Sequence, residues 1–252
     1  MTQIGTVRLN KYIASTGRCS RREADAWIEK GRVTVNGRRA EPGTQVTECD
    51  QVRINGHLIA ARRKKHVYIA LNKPPGITCT TERHVAGNVI AFINYPERIF
   101  PIGRLDKESE GLILLTSDGD IVNEVLRAER KHEKEYIVTV DRPIPDEVLE
   151  RMSHGVRLPE LNTTTRRCKT GRISARTFRI ILTEGLNRQI RRMCEVCGYR
   201  VNRLQRIRVM NIRLDGLKNG RWRNLRPAEL RSLLLATGKH SGAGNRIHSG
   251  DR

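Results

Sequence analysis

The seven residues AARRKKH, at positions 60–66, divide this chain. Arg62, Arg63, Lys64 and Lys65 stand side by side with no apolar period, so no helix or strand made from them has a face to bury. Such a run reads as a linker, and the chain around it is expected to fold as two units, 7–62 and 67–236. A length of 252 residues suits one medium domain plus a small one. Beyond these, 237–252 is Gly/Ser/basic and almost free of apolar residues, which predicts a disordered basic tail.

Lys and Arg total 48 against 27 acids, a formal charge of +21. That excess repels itself in a compact state and calls for an anionic partner. Nucleic acid fits best, because neutralising phosphates releases counterions. A membrane surface is the weaker alternative, since no apolar stretch approaches a spanning length. The N-terminus lacks the apolar core of a signal peptide. Six cysteines, at 19, 49, 79, 168, 194 and 197, are too sparse for a disulfide framework. A reduced, cytoplasmic protein is the expectation. Cys194 and Cys197 form a CxxC without a second pair or nearby histidines, so they read as core residues of a helix rather than zinc ligands.

In the small unit, VRLNKYIASTG sets Leu9, Tyr12, Ile13 and Thr16 on one helical face, with Gly17 as the stop. Ser20 and Glu23 have capping-box spacing for a second helix whose stripe is Ala24, Trp27 and Ile28. Asn36-Gly37 and Asn55-Gly56 mark tight turns between short strands. Arg8, Lys11, Arg18, Arg21 and Arg22 crowd the helical face. They form either a solvated surface or, with helix N-termini beside them, a phosphate cradle.

The larger unit mixes strands (VYIALNK, RIFPIG, GLILLT, KEYIVTV, RTFRIILTEG) with helices (DIVNEVLRA, PDEVLERMSHG, and one beginning at Asn187) without a strict βαβ rhythm. That pattern favours an α+β fold. The first of these helices is expected to turn Ile121, Val122, Val125 and Leu126 inward. Phosphate-binding glycine loops, HExxH and GxSxG are absent, so an enzyme built from this chain is expected to use no cofactor and no metal. The histidines at 66, 84, 132 and 154 are isolated. Glu108, Glu110, Glu133 and Glu135 read as exposed charge more readily than as a hydrolase's paired acids. Asp106 remains, between Arg104 and Lys107 and just ahead of an apolar run. It is either an ordinary surface ion pair or a nucleophile held ionised against a polyanion.

The segments FPIGRLDKESEGLILLTSDGD, HEKEYIVTV, LNKPPGI and LTEGLNRQIRRMC resemble the motifs of bacterial RNA pseudouridine synthases of the RsuA-like group. RLNKYIASTGRCSRREADAWIEKGRVTVNG is similar to the small RNA-binding domain of S-four type that often precedes them. GRLDKESEGLI and RKHEKEYIVTV carry a finer likeness, to a type acting on large-subunit ribosomal RNA. The resemblance implies a small S-four-type domain followed by a catalytic domain built on a mixed, largely antiparallel sheet. It implies isomerisation of uridine to pseudouridine without a cofactor, with 23S ribosomal RNA as partner, small-subunit rRNA or tRNA as alternatives, and a monomeric enzyme. By motif position Asp106 is the nucleophile, attacking the sugar, attacking the base or assisting a glycal intermediate. Arg191 is its counter-ion, or else a phosphate contact. Tyr136 stacks on the extruded uracil and relays its proton. Arg104 fills the space of the flipped base, or simply pairs with Asp106. Leu105, Lys107, Leu186, Asn187, Arg188 and Gln189 contact RNA, and Lys73 and Pro74 shape the pocket floor, with a purely structural role as the alternative. A non-catalytic ribosome-assembly factor also fits the charge and the small domain, but has no need of an Asp–Tyr–Arg set.

Overall fold

The computed structural model describes residues 5–59, 66–82, 84–126 and 131–238. The chain forms two compact units that divide in sequence after His66. The expected linker residues 60–65 and the tail from 239 onward lie outside the described residues.

The first unit runs β1 (Val7–Arg8), α1 (Leu9–Ser15), α2 (Arg21–Glu29), β2 (Val33–Val35), β3 (Arg38–Arg39), β4 (Gln45–Val46), β5 (Val52–Ile54) and β6 (His57–Ile59). Strands β3-β2-β5-β6 form one antiparallel sheet, and β1 pairs with β4. α2 begins with the expected capping box: Ser20 Oγ accepts from the Glu23 N–H (3.0 Å) and the Glu23 carboxylate accepts from the Ser20 N–H (2.6 Å). Leu9, Ile13, Ala24 and Ile28 are buried together, with Tyr12 and Trp27 packed at the margin. At both Asn-Gly turns the two residues have positive φ, near 50° and 81°. That conformation matches the right-handed twist of the strands it joins.

The second unit contains β7 (Tyr68–Lys73), α3 (Val89–Ile93), β8 (Phe100–Ile102), β9 (Glu110–Thr116), α4 (Gly119–Leu126), β10 (Lys134–Val140), α5 (Asp146–Ser153), β11 (Arg157–Leu158), β12 (Thr163–Thr164), β13 (Lys169–Ser174), β14 (Thr177–Leu182), α6 (Gln189–Val196), β15 (Val201–Val209), β16 (Ile212–Arg213), β17 (Trp222–Asn224) and α7 (Pro227–Ala236). A nine-stranded sheet follows the order β13-β14-β10-β15-β9-β7-β17, with β8 on β9 and β16 on β15. Every pairing in it is antiparallel except β9 with β15. The fold is α+β, as the mixed pattern predicts.

The unbroken apolar run GLILLT has a physical reason. All seven residues of β9 and all six of β7 are buried, because helices cover both faces of the sheet there. Ile69, Leu71, Ile113 and Leu115 belong to a core with side chains of α3, α5 and α6. Ala70, Leu112 and Leu114 belong to another, with Ile121 and Val125 of α4 and Leu233 of α7. Leu126 departs from its expected inward position and is exposed. It stands five residues from Ile121, about 140° around the helix, outside the stripe. The expected tail also starts too early, since Thr237 is buried and donates to the carbonyls of Leu233 and Leu234.

α7 is tied to the sheet edge by a forked ion pair, Arg223 Nη1 to Glu229 Oε2 (2.7 Å) and Nη2 to Oε1 (2.8 Å). Hydrogen bonds from Arg223 hold the Glu229 carboxyl below its ordinary value. A depressed folded-state value means that this contribution is complete above the unfolded carboxylate's range and is lost as pH falls through the folded value. Glu229→Gln is therefore expected to cost about 1 kcal/mol at pH 7. In urea titrations the gap from the parent should close toward pH 3, and a gap independent of pH would rule out this origin.

Candidate active site

The segment between β8 and β9 carries Asp106, and its backbone is pinned from several directions. The Arg104 carbonyl accepts from Arg206 Nη1 (3.4 Å), while Arg206 Nε donates to the Leu112 carbonyl (2.7 Å). The Lys107 carbonyl accepts from the Gly76 N–H (2.7 Å) and from Lys73 Nζ (3.3 Å). The Ser109 N–H closes a turn onto the Asp106 carbonyl (3.1 Å). These hydrogen bonds fix where the Asp106 side chain emerges.

Arg191, on α6, reaches the same turn with its whole guanidinium. Nη1 donates to the Val201 carbonyl (3.2 Å), Nη2 to Ser109 Oγ (3.4 Å), and Nε faces Asp106 Oδ2 at 3.9 Å. That last distance is an ion pair and too long for a hydrogen bond. The Asp106 side chain is 28% exposed and that of Arg191 14%. Among the described residues nothing donates a hydrogen bond to the Asp106 carboxylate, and Arg104 forms no ion pair with it. The partner in this structure is Arg191.

Tyr136 is brought close by strand register. It stands opposite Arg206 across the β10–β15 pairing, and Arg206 stands opposite Gly111 across the β15–β9 pairing. The three positions form a line across adjacent strands, so Tyr136 lies about two strand spacings, or ~10 Å, from the start of β9. Its ring shares a core cluster with Leu105. Its hydroxyl has no hydrogen-bond partner among the described residues.

Other expected site residues separate into exposed and buried groups. Arg104, Lys107, Asn187 and Arg188 are exposed, and Leu186 and Pro74 are half-buried. Arg188 is paired with Glu108 (3.2 Å). In the first unit Arg8, Arg21 and Arg22 are exposed, the last two in the first turn of α2, and Lys11 is half-buried.

Three expectations need correction. Gln189 is buried and braces its own loop, donating to Glu184 Oε1 (2.7 Å) and accepting from the Leu186 N–H (3.1 Å). Leu105 is likewise buried in the core. α6 begins at Gln189 rather than Asn187, because Arg188 has φ +50°, a left-handed conformation that no helical turn continues through. Lys73 is fully buried and donates to the carbonyls of Pro74 and Ile77 (both 2.9 Å) and to Lys107. Burial pushes its ammonium below the ordinary value, against the pull of the carboxylates of Glu108 and Asp106. Of the two roles left open for Lys73, these contacts fit the structural one: it holds backbone behind the Asp106 turn.

Sequence reasoning passed over Ser109, Gly111 and Arg206. A lone glycine at the head of an apolar strand is a signal for close backbone approach, and Gly111 has φ +101° with Arg206 backbone against it. Cys194 is buried in the core, where burial pushes its thiol up to about 12. Among the described residues no cluster of His, Cys, Asp or Glu has a metal-holding arrangement, and no helix is long and apolar enough to cross a membrane.

Comparison with known proteins assigns this architecture to a class. Residues 67–196 match the family described as RNA pseudouridylate synthase, and residues 7–57 match the S4 domain. The chain belongs to the RNA pseudouridine synthases and is an S4-containing enzyme of that family. Within it, the chain is 54% identical to the dual-specificity RNA pseudouridine synthase RluF of Escherichia coli K12, over 90% of this chain and 78% of that one. It is 36% identical to the ribosomal large subunit pseudouridine synthase B of Bacillus subtilis, over 90% and 95%. A crystal structure of a pseudouridylate synthase superposes with a TM-score of 0.67 at 26% identity, covering 90% of this chain and 99% of the other. The likeness carried by GRLDKESEGLI and RKHEKEYIVTV is to the F type, in line with the first of these relatives.

Proposed function

We propose that this enzyme isomerises a specific uridine of large-subunit (23S) ribosomal RNA, with Asp106 as nucleophile. The observation that carries the assignment is a half-buried carboxylate with no hydrogen-bond donor on it among the described residues and a guanidinium at 3.9 Å. A carboxylate capped by donors has its lone pairs occupied. This one has Arg191 beside it and its oxygens open to a reacting carbon. Tyr136, whose hydroxyl has no hydrogen-bond partner among the described residues, stacks on the extruded uracil and relays the proton released from C5. Arg104 fills the space left in the RNA, where base extrusion costs about a few kcal/mol. Lys107, Leu186, Asn187 and Arg188 contact the RNA around the target, and Arg188 exchanges Glu108 for phosphate as it does so. Arg8, Lys11, Arg21 and Arg22 of the first unit hold a second stretch of the same RNA. The working boundaries are 7–62 and 67–236, and the enzyme acts as a monomer.

The relatives' names support both parts of the substrate reading. One is a ribosomal large-subunit enzyme, and the other is called dual-specificity, which makes a second RNA such as a tRNA the natural alternative target. Carbodiimide mapping of pseudouridine in unmodified 23S, 16S and tRNA transcripts, after incubation with the purified protein, tests this directly. A new pseudouridine in 23S RNA is expected, and modification confined to the other two would refute the substrate.

Arg191 provides a separate test. A lysine there keeps the charge but cannot bridge Val201, Ser109 and Asp106 together. Arg191→Lys is expected to lower kcat about 10- to 100-fold, and Arg191→Ala about 1,000-fold, with RNA affinity changed only a few-fold. Wild-type kcat in the alanine variant would remove Arg191 from the mechanism.

A further inference from the structure

Aromatic residues make up only 4% of the chain, yet two of them are left well exposed in one place. Trp222 is 40% exposed and Phe92 39%. They are joined through Tyr95, whose ring meets Trp222 edge-on at 5.7 Å, and through Gly220, where an added Cβ would lie 3.6 Å from Phe92 Cζ. The surrounding chain is basic. Lys218 and Arg221 are exposed, with no carboxylate partner among the described residues.

This patch is wired to the active site. The Asn72 N–H donates to the Arg221 carbonyl (3.0 Å), the Gly220 N–H donates to the Asn72 carbonyl (2.9 Å), and Asn72 Nδ2 donates to the Leu217 carbonyl (2.7 Å). Asn72 directly precedes Lys73, which holds the Lys107 carbonyl beside Asp106. β17 is separated from β9 by β7 alone, so the rings stand about 10 Å sideways from the strand that Asp106 feeds, a span of a few nucleotides.

We propose that Trp222 and Phe92 form a stacking platform for an unpaired base of the RNA substrate, with Lys218 and Arg221 on the adjoining phosphates. Exposed rings interleaved with unpaired cations are what single-stranded nucleic acid binds. Any base stacks on a ring, and phosphates supply the opposite charge. A protein partner would use the rings but leave both cations without a counter-charge. The proposal rests on RNA being the substrate of the Asp106 site. It adds a contact that selects substrates with an unpaired nucleotide a few residues from the target.

The chain has two tryptophans, so Trp27→Phe leaves Trp222 as the only tryptophan emitter. Titrating that protein with a ribosomal stem-loop carrying an unpaired extension is expected to quench its emission. Trp222→Ala should weaken binding of the same RNA by about 5- to 100-fold, the range for loss of one stacked base. Trp222→Phe should stay within about three-fold of the parent. Abasic sites in the extension should erase the difference between parent and Trp222→Ala. Emission unmoved at saturating RNA, or parental affinity in both Trp222→Ala and Phe92→Ala, would overturn the proposal and leave the patch to a protein partner. Quenching without pseudouridine formation would instead sink the Asp106 assignment and spare the platform.

Discussion

Asp106→Asn is expected to abolish pseudouridine formation, with a rate loss on the order of 10⁴-fold or more, and to leave RNA affinity within a few-fold. The substitution is nearly isosteric and removes only the anionic oxygen. No hydrogen bond within the described protein depends on that oxygen, and Arg191 keeps its bonds to Val201 and Ser109. The fold therefore has little to lose, and the melting transition should stay close to the parent's. Binding should not suffer either, because the change deletes a negative charge next to a polyanion. If Asp106 is the nucleophile, as proposed, the chemistry has no substitute: a neutral amide is a poor nucleophile, and losing the nucleophile of a coupled set removes nearly all the rate the set supplies. Single-turnover assays with saturating enzyme separate the two effects. A purified variant that still converts uridine would show that another group attacks.

Gly111→Ala is expected to destabilise the protein by about 3–5 kcal/mol, against a typical total of about 5–15 kcal/mol. Gly111 has φ +101°, and a Cβ there would lie 2.3 Å from the Arg206 carbonyl oxygen and 2.8 Å from its nitrogen. Both are backbone atoms, so neither swings aside. The parallel pairing of β9 with β15 consists of Gln205 opposite Glu110 and Arg206 opposite Gly111. It joins the β13-β14-β10-β15 half of the sheet to the β9-β7-β17 half. Relieving the clash means parting those strands at their seam. Arg206 would move with them, releasing the Arg104 carbonyl. Folded molecules of the variant should therefore also turn over slowly. Gly171→Ala serves as control, because no atom lies within 4 Å of its added Cβ and its φ is not positive. Urea midpoints that match for the two variants would show that the seam tolerates a side chain.

Local devices were open to inspection in the sequence. The Ser20–Glu23 box and the two Asn-Gly turns depend on atoms a few residues apart, and each is where the spacing places it. The run GLILLT read as a strand, and it is one; that both its faces are buried came from the helices packed on the sheet. Charge spoke for an anionic partner. The likeness of the quoted motifs to one family settled the class of chemistry, which the residues by themselves had left open between a binder and an enzyme.

What stayed out of view depends on partners far apart in the chain. Arg206 looks like any cation in the alternating stretch RLQRIRV; its burial and its hold on Arg104 exist only because β15 lies beside β9, roughly a hundred residues earlier in the chain. Gln189 sits in a polar segment and looks available to RNA, yet its neighbours turn it inward onto Glu184 and the Leu186 N–H. Composition and short spacings determined the identity of the elements and the sign of the partner's charge, since both follow from side-chain chemistry within a few residues. Only the strand register decided which polar groups meet substrate and which hold the Asp106 turn from behind, because burial belongs to the packed neighbourhood and not to the residue.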